Sequence, residues 1–203
     1  MVVPAKRLAV AKTRLRPVTA GDAAAHAGLV LALLADTVAA AVACPVVDAV
    51  LVVTDDPDAA AEVSRLGARI VTDEPDSGLN PALEHGARAA GGPAVAALSS
   101  DLPALRPAEL AAALTAAAAA PRCFVADAHG TGTTLLTAVG TGLRPSFGTG
   151  SAAAHRAGGA VPLTGAWPGL VQDVDTEADL RAALRLGTGA RTSALTVHLG
   201  AAP

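Results

Sequence analysis

Short apolar runs alternate along the chain with longer stretches in which apolar residues recur at helical spacing. Buried strands produce the first pattern and amphipathic helices the second. The predicted strands are an opening strand ending at Val2-Val3, then Val46–Thr54, Ala68–Val71, Ala94–Ser99, Arg122–Ala126, Leu135–Val139 and Leu170–Val174. The predicted helices run from an N-cap at Gly21-Asp22 to Ala43, then cover Pro57–Leu66, Asn80–Ala90, Pro107–Ala119, Gly150–Ala157 and Glu177–Leu186.

Strands that alternate with helices in this way predict an α/β fold with a mostly parallel sheet. No internal repeat and no long polar linker divides the sequence, so residues 1–187 are predicted to form a single domain. Residues 188–203 are treated as a C-terminal tail, in which Leu195–Leu199 has a weak strand-like pattern and can add a strand.

Composition narrows the class of protein. The 203 residues suffice for one core, and a net charge of −3 gives no general reason to expect nucleic acid or an anionic membrane as partner. Cys44 and Cys123 lie in apolar stretches and are predicted to be small buried side chains. Residues 1–21 lack a signal-peptide apolar core, and polar residues interrupt Ala23–Val53, so a cytoplasmic protein without a membrane span is expected.

The loop after the first strand is basic. Five of the 15 basic residues lie in the first 16 positions, namely Lys6, Arg7, Lys12, Arg14 and Arg16. Ligands of open parallel sheets bind beyond the carboxyl ends of the strands, and a polyphosphate there would need such cations. A solvated basic N-terminus is the alternative. The loop is neither a P-loop nor a dinucleotide-binding glycine motif.

Carboxylates follow two later predicted strands. Asp101 comes after Ala94–Ser99, and Asp173 and Asp175 lie two apart on a predicted extended segment, where they would share a face. Three such carboxylates form a reasonable Mg²⁺ site, since this ion prefers a few carboxylates together with phosphates and water. A helix cap at Thr176, with Asp179 as its partner, is the alternative for the second pair.

Two glycine-rich segments complete the candidate chemistry. His129–Thr134 presents backbone N–H groups and hydroxyls between two predicted strands, and Phe147–Ser151 precedes a short helix whose N-terminus would favour an anion. Each segment alone could be a simple turn. His129 and His155 could be ligands, but for both we favour a structural role or a role in supporting the residues that contact the ligand. Asn80 is either an N-cap or a base-recognition residue.

The order of these segments resembles a known family. V-P-A-K-R-L-A-V-A-K-T-R-L, G-L-N-P-A-L and S-S-D-L-P-A-L resemble GT-A-like nucleotidyltransferases. The later H-G-T-G-T-T, F-G-T-G-S and D-V-D-T look like the phosphoenolpyruvate/2-phospho-L-lactate guanylyltransferase family of coenzyme F-420 biosynthesis. The resemblance runs from Val3 to Leu186. It implies a single-domain Rossmann-like GT-A fold, with a mostly parallel mixed sheet covered by helices on both faces.

The resemblance also implies residue roles and substrates. GTP would condense with phosphoenolpyruvate or 2-phospho-L-lactate, with Mg²⁺ as cofactor and pyrophosphate as second product. Asp101, Asp173 and Asp175 match the family's metal carboxylates, and Thr133, Gly148 and Ser151 match positions that hold the acid. The nucleotide side is matched by Lys12 and Arg14, which are also the catalytic candidates together with Asp101, and less closely by Lys6 and Asn80. Thr149 replaces an expected proline between two glycines.

Two other interpretations remain open at this point. A molybdopterin or sugar-phosphate nucleotidyltransferase would share the opening loop and Asp101, but it gives no reason for both glycine segments. A non-catalytic nucleotide-binding module would keep the fold without turnover. The residues alone do not choose between phosphoenolpyruvate, 2-phospho-L-lactate and 3-phosphoglycerate, and they leave the base and the oligomeric state open.

Overall fold

The computed structural model describes residues 1–74 and 76–198. Its centre is a seven-stranded sheet in the order β3-β2-β1-β4-β6-β5-β7. Strand β6 runs antiparallel to its neighbours β4 and β5, and every other neighbouring pair is parallel. The strands are β1 (Val2–Pro4), β2 (Leu51–Val53), β3 (Arg69–Val71), β4 (Ala94–Leu98), β5 (Arg122–Ala126), β6 (Thr133–Val139) and β7 (Val161–Pro162).

Eight α-helices and one 3-10 helix occur in the described residues. The 3-10 helix covers Thr13–Thr19. The α-helices are α1 (Ala23–Val42), α2 (Pro57–Arg65), α3 (Leu79–Ala90), α4 (Pro107–Ala117), α5 (Ser151–Ala157), α6 (Pro168–Val171), α7 (Glu177–Leu186) and α8 (Ala190–His198).

Helices cover both faces of the sheet, which confirms the predicted fold class. On one face, Val30, Val63 and Leu110 from α1, α2 and α4 belong to the larger apolar cluster with alternate strand residues. On the other face, Leu83 of α3 and Ala152 of α5 pack with residues such as Val2, Phe124 and Leu136. A third cluster joins the 3-10 helix, α1 and α7 around the fully buried Leu15 and Val174. Both cysteines are buried and free, as predicted.

Capping residues explain several helix starts. Asp22 and Asp56 accept backbone N–H groups at the starts of α1 and α2, and Pro57 occupies the first turn of α2. Thr176 and Asp179 form a capping box at α7. The cap that was the alternative to a metal site at Asp175-Thr176 is therefore present. Its hydrogen bonds use the side chains of Thr176 and Asp179, so it does not occupy the side chain of Asp175.

Two predicted strands are wrong. Leu170–Val174 begins inside the short helix α6 and continues as irregular chain, because Pro168 at the first turn supplies a helical φ and the segment pairs with no strand. Residues Leu195–His198 belong to α8, and Leu199 lies outside the described residues. The sequence also gave no prediction for the 3-10 helix or for β7. Strand β2 is shorter than its predicted range, beginning at Leu51.

The tail forms a helix that packs against α1. The buried carboxylate of Asp36 accepts the N–H groups of Arg191 and Thr192 at 3.2 and 2.8 Å, so α1 caps the start of α8. Among the described helices, α1 alone is long and apolar enough to cross a membrane by length and composition, but 67% of its apolar stretch is buried inside the protein. We expected polar residues to interrupt any segment long and apolar enough to span a membrane, and for α1 this expectation is wrong. The helix is nevertheless packed as a core helix.

Candidate active site

A large pocket lies at the carboxyl ends of β1 and β4, the two parallel strands at the centre of the sheet. Its volume is about 1110 Å³, which is at the upper end for small-molecule sites. It is lined by nearly all the predicted site residues: Lys6, Lys12, Arg14, Asp101, Thr133, Gly148, Ser151, Asp173 and Asp175. Segments far apart in sequence therefore meet where the strand ends predicted a ligand site.

The basic opening loop is held in place by three contacts with different parts of the fold. Ala5 donates its N–H to Val53 O at 2.9 Å, and Leu8 donates its N–H to the Asp56 carboxylate at 2.9 Å. The ring Nε2 of buried His26 lies 2.9 Å from Ala11 O and donates to it, because a carbonyl can only accept. Lys12 follows with a left-handed backbone at φ 51° and opens the 3-10 helix.

The Lys12 ammonium lies between two of the predicted metal carboxylates. It donates to Asp101 Oδ2 and to Asp175 Oδ1. Burial acts to lower the pKa of Lys12, but the two ion pairs outweigh it and raise the pKa above its ordinary value, so the lysine stays charged. Lys12 therefore contacts the carboxylates directly, in addition to facing the pocket where a triphosphate was predicted.

Backbone contacts bring the three aspartates to one place without the predicted strand. Asp173 and Asp175 flank Val174, whose N–H donates to Asp101 O at 3.1 Å. Val174 itself is fully buried, which fixes the segment against the core. The predicted common location of the three carboxylates is therefore present, although the cause is this single cross-link and not an extended strand.

Negative charge is concentrated around Asp173. Burial, and then the charges of Asp101, Asp175 and Asp127, raise the pKa of Asp173 to about 7, against the opposing effect of Lys12. Asp173 therefore experiences the repulsion of three carboxylates and the attraction of one lysine. Hard oxygen donors with excess negative charge fit Mg²⁺, and their open arrangement suits an ion that keeps waters and substrate phosphates as ligands.

The first glycine-rich segment is shaped by Asp127. Its carboxylate accepts the N–H groups of Thr131 and Gly132 at 2.9 and 2.8 Å, folding the loop back on itself. A Cβ on Gly132 would lie only 2.4 Å from Asp127 Oδ2, so a glycine is needed for this close approach. The loop ends at Thr133, the first residue of β6, which is buried beside the pocket.

The second glycine-rich segment turns sharply into α5. Gly148 and Gly150 have φ angles of 129° and 74°, which side chains with a Cβ rarely adopt. Ser151, the first residue of α5, is buried, and one turn later His155 is buried as well. His155 Nδ1 lies 2.9 Å from Thr133 Oγ1, so the two glycine segments are joined behind the pocket. This agrees with the structural role favoured for His155.

Asn80 supports the second glycine segment. Its amide oxygen accepts Phe147 N–H at 2.7 Å, and its amide nitrogen donates to Phe147 O at 3.1 Å. Both ends of the amide are therefore engaged with one backbone unit, and Asn80 does not line the pocket. Its position near a predicted helix start suggested a cap or a base contact, but the N-cap of α3 is Gly78, and only coordinates could reveal the long-range partner of Asn80.

A second acidic group lies near the end of β3. Among the described residues, only Asp55, Asp73 and Asp76 bring three carboxylate oxygens within 4.8 Å of one another. Asp55 already accepts the N–H of Asp73 at 3.1 Å and pairs with Arg7 at 4.0 Å. Asp55 and Asp76 are exposed, whereas Asp73 Oδ1 is buried and has no hydrogen-bond partner among the described residues. The predicted triad does not bring one oxygen from each of its three carboxylates within 4.8 Å of the others, although Asp101 and Asp175 both contact Lys12.

Solved structures with the same architecture include nucleotidyltransferases. The chain is similar to a nucleotidyl transferase from Methanothermobacter at a TM-score of 0.62, 21% identity and coverage of 92% of this chain and 97% of that one. It is also similar to CMP:2-keto-3-deoxy-manno-octonic acid synthetase solved with CTP, at a TM-score of 0.60, 15% identity and coverage of 91% and 96%. At these identities the likeness establishes the fold. Sequence relatives that are guanylyltransferases establish that the protein is an enzyme of the nucleotidyltransferase class.

The particular family follows from sequence. Residues 1–196 match the family described as guanylyl transferase CofC like, and the chain belongs to that family. A phosphoenolpyruvate guanylyltransferase of Geodermatophilus obscurus is 74% identical over 198 residues, covering 96% of this chain and 92% of its own length. Another, from Salinispora arenicola, is 57% identical with the same coverages. The predicted resemblance is confirmed.

Proposed function

We propose that this protein joins the guanylyl group of GTP to phosphoenolpyruvate, releasing pyrophosphate. The observation that carries the proposal is that one pocket combines the Lys12–Asp101–Asp175 cluster with both glycine-rich segments. The cluster suits a nucleotide triphosphate, and the glycine segments suit a small anionic acid. The relatives named phosphoenolpyruvate guanylyltransferase favour this acid over 2-phospho-L-lactate. Membership of the family suggests a role in coenzyme F-420 biosynthesis in the cytoplasm.

The proposed step is a displacement at phosphorus. An oxygen of the acid's phosphate forms a bond to the α-phosphorus of GTP, and the bond from that phosphorus to the bridging oxygen of the β-phosphate breaks. The electron pair leaves with pyrophosphate. Because the attacking phosphate is already anionic, the step needs no general base, and no Ser-His-Asp arrangement is invoked.

Repulsion between the two anions is the main barrier to their approach. Two unit charges 4 Å apart cost about 4 kcal/mol at an effective dielectric of about 20. Lys12 and Arg14 would offset part of this cost, and Lys6 would add to the positive charge around the triphosphate. Asp101, Asp173 and Asp175 would hold Mg²⁺, which when bound supplies charge stabilisation to the phosphate oxygens. The excess of carboxylates over cations around Asp173 supports this assignment.

The acid is proposed to bind on the other side of the pocket. Thr133, Gly148 and Ser151 would hold its phosphate and carboxylate through a hydroxyl and backbone N–H groups. Thr133 and Ser151 are buried beside the pocket, and Gly148 lines it while exposed; the two buried residues would exclude water from the acid and fix its phosphate for in-line attack. Thr149 lies between the two glycines with positive φ. Its own φ is not positive, so the turn accommodates its side chain.

Mass spectrometry of the reaction product tests the proposal. GTP, ATP and CTP would each be incubated with phosphoenolpyruvate, 2-phospho-L-lactate and 3-phosphoglycerate, with Mg²⁺ or with a chelator. The expected result is a product of GTP and phosphoenolpyruvate together with stoichiometric pyrophosphate, and none of it with the chelator. Turnover only with a molybdopterin or a sugar phosphate would favour the other transferases, and no turnover with any acceptor would favour a binding module.

A further inference from the structure

We propose that His155 is a positioning residue for the acid substrate, acting through the Thr133 hydroxyl and the backbone of residues 146–148. The inference rests on the proposed function. The imidazole is 3% exposed and lies between the two glycine-rich segments, so no substrate touches it directly. Its two ring nitrogens contact one element each, which makes the ring a cross-link behind the pocket.

The hydrogen bonds determine which ring nitrogen carries the proton. Ser146 donates its backbone N–H to Nε2 at 2.9 Å, so Nε2 must be the unprotonated acceptor. A neutral imidazole then has its hydrogen on Nδ1, and this hydrogen is donated to Thr133 Oγ1 at 2.9 Å. Burial lowers the pKa of His155, which keeps the ring neutral and preserves this arrangement.

This proton position determines the direction in which the Thr133 hydroxyl can donate. Since its hydroxyl oxygen accepts from His155, its own hydrogen is free to be donated elsewhere, and Thr133 lines the pocket. A hydroxyl fixed as a donor favours an anionic oxygen and disfavours a ligand group that must donate. His155 thereby selects a phosphate or carboxylate at this position without contacting it.

The same ring anchors the second glycine segment. Phe147 packs edge-on against the imidazole, with ring centroids 5.1 Å apart. The backbone of Phe147 is held from the other side by Asn80, and Ser146 N–H is held by Nε2. Residues 146–148 are therefore fixed on two sides; Gly148 is the last of them, and Ser151 follows three residues later.

Two substitutions separate the two ring contacts. In His155→Asn, the amide NH₂ reaches roughly the position of Nδ1 and keeps a donor for Thr133. In His155→Gln, the amide oxygen reaches roughly the position of Nε2 and keeps an acceptor for Ser146, while the donor to Thr133 is lost. His198→Asn, on an exposed residue of α8, is the matched control.

Steady-state kinetics with GTP and phosphoenolpyruvate give the test. His155→Gln should raise the KM for phosphoenolpyruvate about tenfold or more, the scale of one hydrogen bond to a charged group, and leave the KM for GTP within about twofold. His155→Asn should raise it less, and His198→Asn should not change it. Equal changes in both KM values for His155→Gln, or none, would overturn the inference.

A double-mutant cycle covers the case in which His155 variants are less stable. If His155 acts through Thr133, His155→Gln added to Thr133→Val should cost far less in KM for phosphoenolpyruvate than it costs alone. Fully additive effects would show a general structural role and would overturn the inference. A wild-type protein inactive with phosphoenolpyruvate and GTP would instead overturn the proposed function, and the inference with it.

Discussion

Asp173 is the residue whose ionisation most clearly reports the charge balance of the site. Its pKa is raised to about 7, above the ordinary value of 3.8 for aspartate. A carboxyl group with a raised folded-state pKa favours the folded state at low pH, and this advantage is lost as the pH rises through 7. The metal-free protein should therefore lose stability between about pH 4 and pH 7.

Asp173→Asn should remove this loss. In the presence of a chelator, the variant should melt at least about 2 °C above the wild type at pH 8, with a smaller difference at pH 5. Mg²⁺ should raise the melting temperature of the wild type at pH 8 more than that of the variant. Thermal unfolding followed by circular dichroism measures both effects. The same difference at both pH values would mean that Asp173 ionises normally.

Lys12 is expected to act on the nucleotide. Lys12→Ala should raise the KM for GTP about tenfold or more, because it removes the cation that pairs with Asp101 and Asp175 and that is proposed to bind the triphosphate. Arg185→Ala, an exposed cation on α7, serves as the control and should behave as wild type. If Lys12→Ala changed only the KM for the acid, the assignment of the opening loop would be wrong.

For single residues, the sequence predicted which side chains line the pocket better than it predicted their hydrogen-bond partners. The position of Asp101 after a strand and the basic loop were sufficient to predict a common pocket. The roles of His26 and Asn80 in shaping loops were not predictable, because each depends on a hydrogen bond to a backbone atom distant in sequence. For Asn80 and Phe147 that partner is 67 residues away in sequence.

At the scale of elements, the close approach of α3 to the sheet depends on a glycine. A Cβ at Gly86 would lie 2.5 Å from Val2 Cγ1 and 2.7 Å from Val53 Cγ2, both in the core. Gly86→Ala should therefore destabilise the protein by about 1–3 kcal/mol, the usual cost of overpacking. Since α3 carries Asn80, the KM for the acid should rise as well.

Gly28→Ala is the matched comparison. Gly28 lies within α1 and a Cβ there would meet nothing within 4 Å, so alanine should stabilise the helix by about 0.5–1 kcal/mol. Chemical denaturation of both variants measures the two effects. Destabilisation by Gly86→Ala together with stabilisation by Gly28→Ala would support the close packing of α3 on the sheet. Stabilisation by both substitutions would contradict it.

The elements that sequence predicted correctly have strong local signals. Predicted caps at Asp22 and Thr176 and the proline at position 57, with helical apolar spacing after them, indicated α1, α7 and α2. The segment Leu170–Val174 failed because a short apolar run fits a strand and a buried helical turn equally well. In α8, tertiary contacts with Asp36 override the strand preference of Leu195–His198.

At the scale of the whole molecule, the strand order brings distant segments to one pocket. Parallel β1 and β4 are neighbours, so the opening loop and Asp101 emerge side by side, and antiparallel β6 returns Thr133 to the same edge of the sheet. The sequence predicted alternation but not strand order, because strand order depends on which apolar faces pack together. The resemblance to a family predicted the GT-A fold, which the periodicity of apolar residues alone could not.

The most direct test of the account is pyrophosphate release from GTP and phosphoenolpyruvate by Asp101→Asn, compared with Asp58→Asn on the exposed first turn of α2. Removing one carboxylate that would hold the metal should cost several kcal/mol of transition-state stabilisation, so turnover should fall at least about 100-fold. Asp58→Asn should stay within about twofold of wild type. A well-folded Asp101→Asn enzyme with near-normal turnover would contradict the assignment of this pocket as the catalytic site.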